Sequence, residues 1–471
     1  MSTHPHRRVS EPLIDLSVPR RCHVVGVAGP GMSPIAKLLA ARGHTVSGSD
    51  MRDTTITQQL GALGVAVTIG HDAQLVAGAD VVTYSTAIPE TNVELSAARA
   101  QNIAVRHRSG ILASLCATSR AIGVAGTHGK TTTTALLALM LEAGGVDPSV
   151  IVGAEIPGYG VGARAGSSDV LVLEADESDG TLDVLPLHSV IITNVDVDHL
   201  DYFGTFENVQ RCFADVAHRA TGTVVLNADD IGSQLVRETM AGRSGLMTFG
   251  VNEGATVRIH QSVSVPQGLA IRFVIHGESH ECFLPLRGEH NAMNCAAALA
   301  MAIAFGVDAR VACSAVQTFS GVARRFTERG TFAGALLVDD YAHLPAEIEA
   351  AIAAVRTHPS LTGRVVAVFQ PNRFHRIAAM AHSYADCFHG ADHVIITDVY
   401  ASGTERIEGV TGELVSSAIQ QAHPQLSVAY APTRNDIVSE LRAKLRAGDL
   451  CISMGCGDIE TLPDDLMGSA S

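Results

Sequence analysis

Nine cysteines are scattered along the 471 residues, at positions 22, 116, 212, 282, 295, 313, 387, 451 and 456, with no C-x-x-C pair and no histidine at zinc-finger spacing. That absence removes the thiolate metal-site and disulfide-scaffold classes and leaves buried, reduced thiols as the expectation. No apolar run approaches the length of a membrane span. Positive charge is scarce: 33 Lys and Arg against 48 Asp and Glu give a net charge of −15. Such a chain is a poor general binder of nucleic acid or acidic membrane, so any phosphate-binding surface must be local. Short repeats and low-complexity tracts are absent as well.

Apolar residues make up 46% of the chain and its mean hydropathy is +0.22, enough for several packed cores. At about 150 residues per domain the length implies about three. Arg20 and Arg21 precede HVVGVAG and invite a twin-arginine export reading, but the glycine-broken run fits a strand–turn–helix better. Residues 1–20 read as a flexible arm and the protein as cytoplasmic.

Val/Ile-rich runs alternate with Ala/Leu-rich stretches: HVVGVAG then SPIAKLLAARG, RAIGVAG then TTTALLALMLEAGG, GRVVAVFQ then HRIAAMAHSYADCF. This pattern predicts parallel sheets covered by helices, an α/β fold. It restarts near Ser119 and Thr331, which suggests units over 21–118, 119–328 and 329–471. The stretch from Thr248 to Leu286 alternates apolar and polar residues and reads as an antiparallel meander ending the middle unit.

AGTHGKTTTT, Ala125–Thr134, lies between a strand and a helix stopped by Gly144 and Gly145. Glycines let successive N–H groups and the helix N-terminus face an anion. Gly126, Thr127, His128, Gly129 and Thr132 would line the cradle, Lys130 would reach the outer phosphates and Thr131 would ligate Mg²⁺. Val124 occupies the first glycine position of the usual G-x-x-x-x-G-K-[ST] pattern. VLVLEADESDG then ends a buried strand at Glu174, with Asp176, Glu177 and Asp179 following. SVIITNVDVDHLD delivers Asn194, Asp196, Asp198, His199 and Asp201 at the corresponding place. Open α/β sheets bind ligands at such strand ends, and oxygen donors with one imidazole suit Mg²⁺. Asp176, Asp183 and Asp196 are explained as a solvated rim and helix caps, which leaves Glu174 and His199 as candidates for function. At the N-terminus Gly29 and Gly31 follow a strand, but Pro34 replaces the third glycine of G-x-G-x-x-G, an incomplete dinucleotide fingerprint. His71, His107 and His188 read as surface or satisfied residues, and Cys456 as a small core residue.

These residues resemble the Mur ligases, from about Cys22 to Ile459. The likeness is carried by HVVGVAGPGMSPIA, SGSD, YSTAIPE, AGTHGKTTTT, EADESDG, TNVDVDHLD, GEHNAMNCAAALA, GVARRF, VDDYAHLPAEI, FQPNRFHR and MGCGDI. The resemblance is nearest to the branch that joins L-alanine to UDP-N-acetylmuramate. It implies a Rossmann-like UDP-binding domain, a central P-loop ATPase domain with a parallel sheet plus a small antiparallel sheet, and a C-terminal Rossmann-like domain. It further implies ATP and Mg²⁺, two ions that Mn²⁺ can replace, and an acyl-phosphate intermediate. Lys130, Glu174, His199, Arg373 and Arg376 would be catalytic, with Thr131, Glu174 and His199 on metal. His290, Asn291 and Asn294 match the adenine stretch, and Arg325 and Asp340 match positions that approach ATP. Gly29, Gly31, Met32, Asp50 and Ser85 would hold the UDP-sugar; Tyr341, His343, Arg373 and Arg376 would hold the amino acid. No lysine follows His199 in DYFGTFENVQRCFADVAHRATG, so the carbamylated lysine of several sister ligases has no counterpart, as in the alanine-adding branch. Leu344 and Asn372 depart from the family's D-D-Y-x-H-H-P and F-Q-P-H-R, which puts amino-acid preference in question. A monomer or homodimer acting on small molecules is expected.

Three rivals remain. A recycling ligase that attaches a preformed tripeptide to the same nucleotide is disfavoured by GVAGPGMSPIA. A nicotinamide dehydrogenase leaves the phosphate loop unexplained. A non-enzymatic nucleotide switch has no use for Arg373 and Arg376.

Overall fold

In the computed structural model, residues 10–154, 156, 159 and 162–468 are described, apart from the side chain of Asp201. Three sheets carry the chain. The first has five parallel strands in the order Ala66–Ile69, Thr45–Asp50, Arg21–Val25, Val81–Tyr84, Ala104–His107. The chain reverses direction across the sheet between Arg21–Val25 and Val81–Tyr84, leaving a crevice at their carboxyl ends. There Gly26 packs against Ile88, whose Cδ1 would stand 3.1 Å from an added Cβ.

Ten strands form the second sheet. Arg120–Ala125 lies in its interior, hydrogen-bonded in parallel to Val170–Glu174 on one side and Ser189–Ile192 on the other. These strands are buried almost throughout, as expected where helices cover both faces. The alternating stretch divides in two. Leu246–Gly250 extends the parallel ladder through Val224–Asn227; Val257–Val265, Gly268–Ile275 and Glu278–Leu284 follow in sheet order. Their two-residue connections are ones that only antiparallel neighbours accept. The antiparallel strands therefore grow from the edge of the parallel sheet at the Phe249–Val257 pairing.

The chain's contacts place the first sheet and most of the second in one compact unit, comprising residues up to Gln261 with Ile271–Leu284 and Met293–Ser320. One core runs through it from Leu16 to Met240. Leu16 belongs to the segment expected to be a loose arm. Residues 11–20 are instead docked: Ile14 N–H donates to Ser114 Oγ at 3.0 Å, Arg106 Nε donates to the Pro12 carbonyl at 2.9 Å, and Leu16 is buried. Apolar contact and two cross-chain hydrogen bonds outweigh the ordering entropy of this short stretch. Residues 1–9 lie outside the described residues.

The second unit comprises Ser262–Ala270, Pro285–Ala292 and Gly321–Ser471. Its sheet runs Thr327–Phe332, Ala335–Asp340, Leu450–Met454, Val365–Phe369, His393–Ile396, Ser427–Tyr430, antiparallel only at the first pair. Val365–Phe369 and Leu450–Met454 are wholly buried and flank its switch point. The ends that follow them, Gln370–Arg373 and Gly455–Gly457, lie side by side, with Gln370 N–H donating to Met454 O at 2.9 Å.

Candidate functional site

The helix Lys130–Ala143 starts from Gly129 in left-handed conformation, φ 81°. A side chain at Gly129 would meet Asn294 Oδ1 at 2.2 Å, and one at Gly126, φ 122°, would meet Thr193 Oγ1 at 2.2 Å. Both glycines thus permit a turn that no other residue fits without movement. The loop is braced from the next strand end. His128 N–H donates to Asn194 Oδ1 at 2.9 Å; Thr193 Oγ1 and Asn194 Nδ2 donate to His128 O at 2.6 and 3.1 Å. Asp196 N–H donates to Thr127 Oγ1 at 2.9 Å, and His128 Nε2 stands 3.2 Å from Asp196 Oδ2. Thr132 is buried in the first helical turn.

Lys130 Nζ donates to the carbonyls of Gly126 and Thr127 at 2.7 and 3.2 Å and to both oxygens of Glu177 at 3.1 Å. Burial works against the ammonium, but Glu177, Asp176 and Glu174 outweigh it and hold Lys130 firmly protonated. Thr131 Oγ1 donates to Glu174 Oε1 at 3.0 Å, and Gly153 N–H donates to Glu174 Oε2 at 2.8 Å.

The resemblance pairs Glu174 with His199; the geometry groups them differently. His199, in left-handed backbone at φ 52°, places Nε2 3.1 Å from Asp198 Oδ2 and 3.9 Å from Glu177 Oε1. Asp176, Glu177 and His199 bring ligand atoms within 4.8 Å of one another. Asp176, expected as a rim residue, does accept from Ser178 N–H and Oγ, at 3.0 and 2.8 Å, yet it stands in this group. Glu174 still ends its strand and points to the helix of the phosphate loop, whereas the turn after it curls Asp176 and Glu177 over Lys130. Two carboxylates and an imidazole suit a hard divalent cation, and Thr131 with Glu174 forms a second oxygen pair nearby in the same loop system.

Asn294 accepts from Thr133 Oγ1 at 3.4 Å, beside Gly129. His290 and Asn291 group with the second unit, where Asn291 Nδ2 donates to the Arg287 carbonyl at 2.7 Å. In the first sheet's crevice, Met32 N–H donates to Gly29 O at 2.8 Å, and Asp50 Oδ2 accepts from Ala28 N–H at 3.0 Å, tying the second strand to the glycine turn. Gly31 lies in the same turn, and Ser85 O accepts from Ile88 N–H at 3.0 Å on the neighbouring strand end. The three histidines set aside above are engaged: His71 with Glu94 at 2.8 Å, His107 with Thr86 at 3.1 Å, His188 with Ser189 at 2.9 Å. Glu94, wholly buried between His23, Ser49 and His71, has no signal in the sequence that separates it from a surface acid on its helix.

In the second unit, Arg324 and Arg325 both lie over the Tyr341 ring, at 5.0 and 5.2 Å. Arg324, at φ 60°, also donates to Asp339 Oδ2 at 3.3 Å and to Gly455 O at 2.7 Å. Asp340 accepts from the N–H groups of Phe326 and Ala342, both at 2.8 Å. His343 Nδ1 lies 3.2 Å from Glu347 Oε2. Arg376 is buried and donates to Asn372 Oδ1 at 2.8 Å. Arg373 adopts φ 62° at the carboxyl end of Val365–Phe369; left-handed backbone at a non-glycine costs about 1–3 kcal/mol and clusters at working sites. Leu344 is buried at the start of the helix Pro345–Arg356. Cys456 is only half-buried, unlike the other eight cysteines. Burial raises its thiol, while Arg376, Arg373 and Arg324 oppose the rise, so it borders the arginine cluster rather than the core.

Comparison with known proteins covers each of the three sheets. The profile of the Mur ligase family catalytic domain matches residues 21–120, that of the Mur ligase middle domain 124–302, and that of the Mur ligase glutamate ligase domain 324–457. A UDP-N-acetylmuramate–L-alanine ligase of Bradyrhizobium sp. (strain ORS 278) is 40% identical over 457 residues, 94% of this chain and 97% of the relative. The enzyme of that name from Renibacterium salmoninarum is 40% identical over 451 residues, 95% of each chain. Among solved structures, the UDP-N-acetylmuramate–alanine ligase MurC of Thermotoga maritima matches with a TM-score of 0.76 at 24% identity, covering 95% of this chain and 98% of that one. A murein peptide ligase of Psychrobacter arcticus matches at 0.68 and 22%, with the same coverage.

Proposed function

The chain belongs to the Mur ligase family, and from that premise we propose that it joins L-alanine to UDP-N-acetylmuramate. The products are UDP-N-acetylmuramoyl-L-alanine, ADP and phosphate, a step of peptidoglycan precursor synthesis. The observation that carries this reading is likeness at 40% identity over 94–95% of the chain to proteins named as UDP-N-acetylmuramate–L-alanine ligases. Nucleotide substrates place the reaction in the cytoplasm; no helix among the described residues is long and apolar enough to cross a membrane.

The lactyl carboxylate attacks the γ-phosphorus of ATP, ADP leaves, and the alanine amine then displaces phosphate from the acyl carbon. A carboxylate is a poor acyl donor; phosphorylation supplies the leaving group. Lys130, held charged at the loop mouth, neutralises the transferring phosphoryl group, and the N-terminus of the helix Lys130–Ala143, on a loop braced by Asn194, orients it. Asp176, Glu177 and His199 would hold one Mg²⁺ and Thr131 with Glu174 another, Mn²⁺ substituting; such ions supply charge to the phosphates. Asn294 reads the adenine edge, since an amide both donates and accepts. On the second unit Arg376, fixed by Asn372, and Arg373 clamp the alanine carboxylate, and Tyr341 and His343, in edge contact with each other, complete the amino-acid site.

The test supplies purified protein with Mg-ATP and UDP-N-acetylmuramate and measures phosphate release with and without L-alanine. Alanine-stimulated release is expected. Release stimulated by the murein tripeptide alone would move the protein to the recycling branch, and no stimulated release would sink the ligase reading.

A further inference from the structure

Arg108 opens the helix Arg108–Ala117, and its Nε and Nη2 donate to one oxygen of Asp179 at 3.1 and 2.8 Å. Its remaining nitrogen, Nη1, lies against the glycine turn: a Cβ on Gly31 would stand 2.5 Å from it. One guanidinium thus touches the crevice of the first sheet with one edge and the acidic turn of the second with the other. Asp179 is two residues beyond Glu177, and the turn between them is closed by Gly180 N–H on Glu177 O at 3.2 Å and Thr181 N–H on Asp179 Oδ1 at 3.0 Å. Glu177 at one end of this turn holds Lys130, and Asp179 at the other holds Arg108.

Five other cations of residues 21–118 are directed elsewhere, while Arg52 is exposed just past Asp50, its N–H on Asp50 Oδ1 at 3.3 Å. Arg21 lies against Gly78, Lys37 donates to Tyr159 O, Arg42 to Ser119, Arg99 to Glu90 and Arg106 to Pro12 O. A cavity of about 90 Å³ beside the turn is lined by Pro30 and Ser33 on one side and Gly153 on the other, the residue whose N–H is held by Glu174. Arg108 and Asp179 each keep 22% of their side chains exposed, so an anion can reach them.

We propose that Arg108 binds the diphosphate of the UDP-sugar and, through Asp179, registers it on the turn that holds Lys130. The proposal rests on the UDP-sugar reading above. A guanidinium presents donors on two edges in a fixed plane, so it can take a diphosphate oxygen on Nη1 while keeping Asp179 on Nε and Nη2. A lysine, a single point charge, cannot hold both partners in fixed register. Arg108 is then a binding residue, and Asp179 a positioning residue that acts through it.

The intact protein is titrated with UDP by calorimetry and with uridine by ligand-observed NMR, for the unsubstituted chain, Arg108→Ala, Arg108→Lys and Asp179→Asn. Loss of a charge-assisted bond predicts that Arg108→Ala weakens UDP about tenfold or more and uridine by less than about twofold. Arg108→Lys recovers part of the UDP affinity but not turnover. Asp179→Asn leaves UDP affinity within about twofold yet lowers kcat for the alanine reaction about tenfold. Equal loss of UDP and uridine in Arg108→Ala marks a packing defect and overturns the assignment, as does undiminished UDP binding. An unsubstituted protein that fails to bind UDP overturns the UDP-sugar reading itself, and this assignment with it.

Discussion

Both carboxylate oxygens of Glu177 stand 3.1 Å from Lys130 Nζ, and the carboxylate is almost wholly buried. The phosphate loop's cation is therefore surrounded by this carboxylate and the carbonyls of Gly126 and Thr127. Phosphate must compete with Glu177 and two carbonyls for the same three protons, which makes Glu177 part of the loop's working environment.

Asp176 and Glu174 stay near Lys130 when Glu177 loses its carboxylate, and burial already raises the Glu177 carboxyl to about 7. Glu177→Gln is therefore expected to lower stability by about 1–2 kcal/mol, less than the break of an isolated buried pair. Guanidinium denaturation of the unliganded protein checks it, and an unchanged midpoint would show the pair to be ornamental.

Gly126 tests the loop's shape. At φ 122° an alanine would be strained by about 1–3 kcal/mol, and its Cβ would lie 2.9 Å from Asn194 O and Thr193 N, backbone atoms that cannot step aside. Gly126→Ala should weaken ATP binding about tenfold or more while UDP binding stays near its original value; calorimetry of each ligand reads the difference.

For the alanine site, Arg376→Lys keeps the charge but loses the planar fork, and should raise the KM for L-alanine about tenfold with the KM for ATP little changed. Asn372→Ala, which only frees Arg376, should raise it less. Steady-state kinetics with each substrate varied separates the two. Equal effects on both substrates would point to damaged packing.

Much of this arrangement is legible in the residues because it is local. The strand, turn and helix around AGTHGKTTTT follow from a buried apolar run, two positive-φ glycines and a helix-forming stretch that are contiguous in sequence. Which acid of EADESDG faces Lys130 is not, since it depends on how the turn after Glu174 curls once Gly180 enters the left-handed region. Arg108 and Asp179 are 71 positions apart and meet only when two sheets pack. Residues 11–20 carry Leu13, Ile14, Leu16 and Val18 between two prolines without helix or strand periodicity, and the docking of Leu16 and Ile14 needs the helix Arg108–Ala117 already in place. Cys456 reads as a small core residue, but its position after Leu450–Met454 sets it at a sheet's switch point among arginines.

Asp339 gives a pH signature. Burial first, and Asp340 beside it, push its carboxyl from 3.8 to about 6, against the opposing pull of Arg324. The folded state thus binds this proton more tightly than the unfolded chain, so the contribution is fully present below pH 3.8 and lost as pH rises through about 6. Relative to Asp339→Asn, the unsubstituted protein should lose thermal stability across that window. Parallel melting curves for the two proteins would refute it.

The acyl-phosphate route makes the most direct demand on the chemistry. When the alanine amine displaces phosphate, the bridging oxygen leaves with phosphorus, so one carboxylate oxygen of the sugar nucleotide must appear in inorganic phosphate. UDP-N-acetylmuramate labelled with ¹⁸O in its lactyl carboxylate is incubated with the protein, Mg-ATP and L-alanine, and the phosphate is analysed by mass spectrometry or ³¹P NMR. One ¹⁸O in each phosphate released, in step with amide formation, is the predicted result. Unlabelled phosphate would contradict the account.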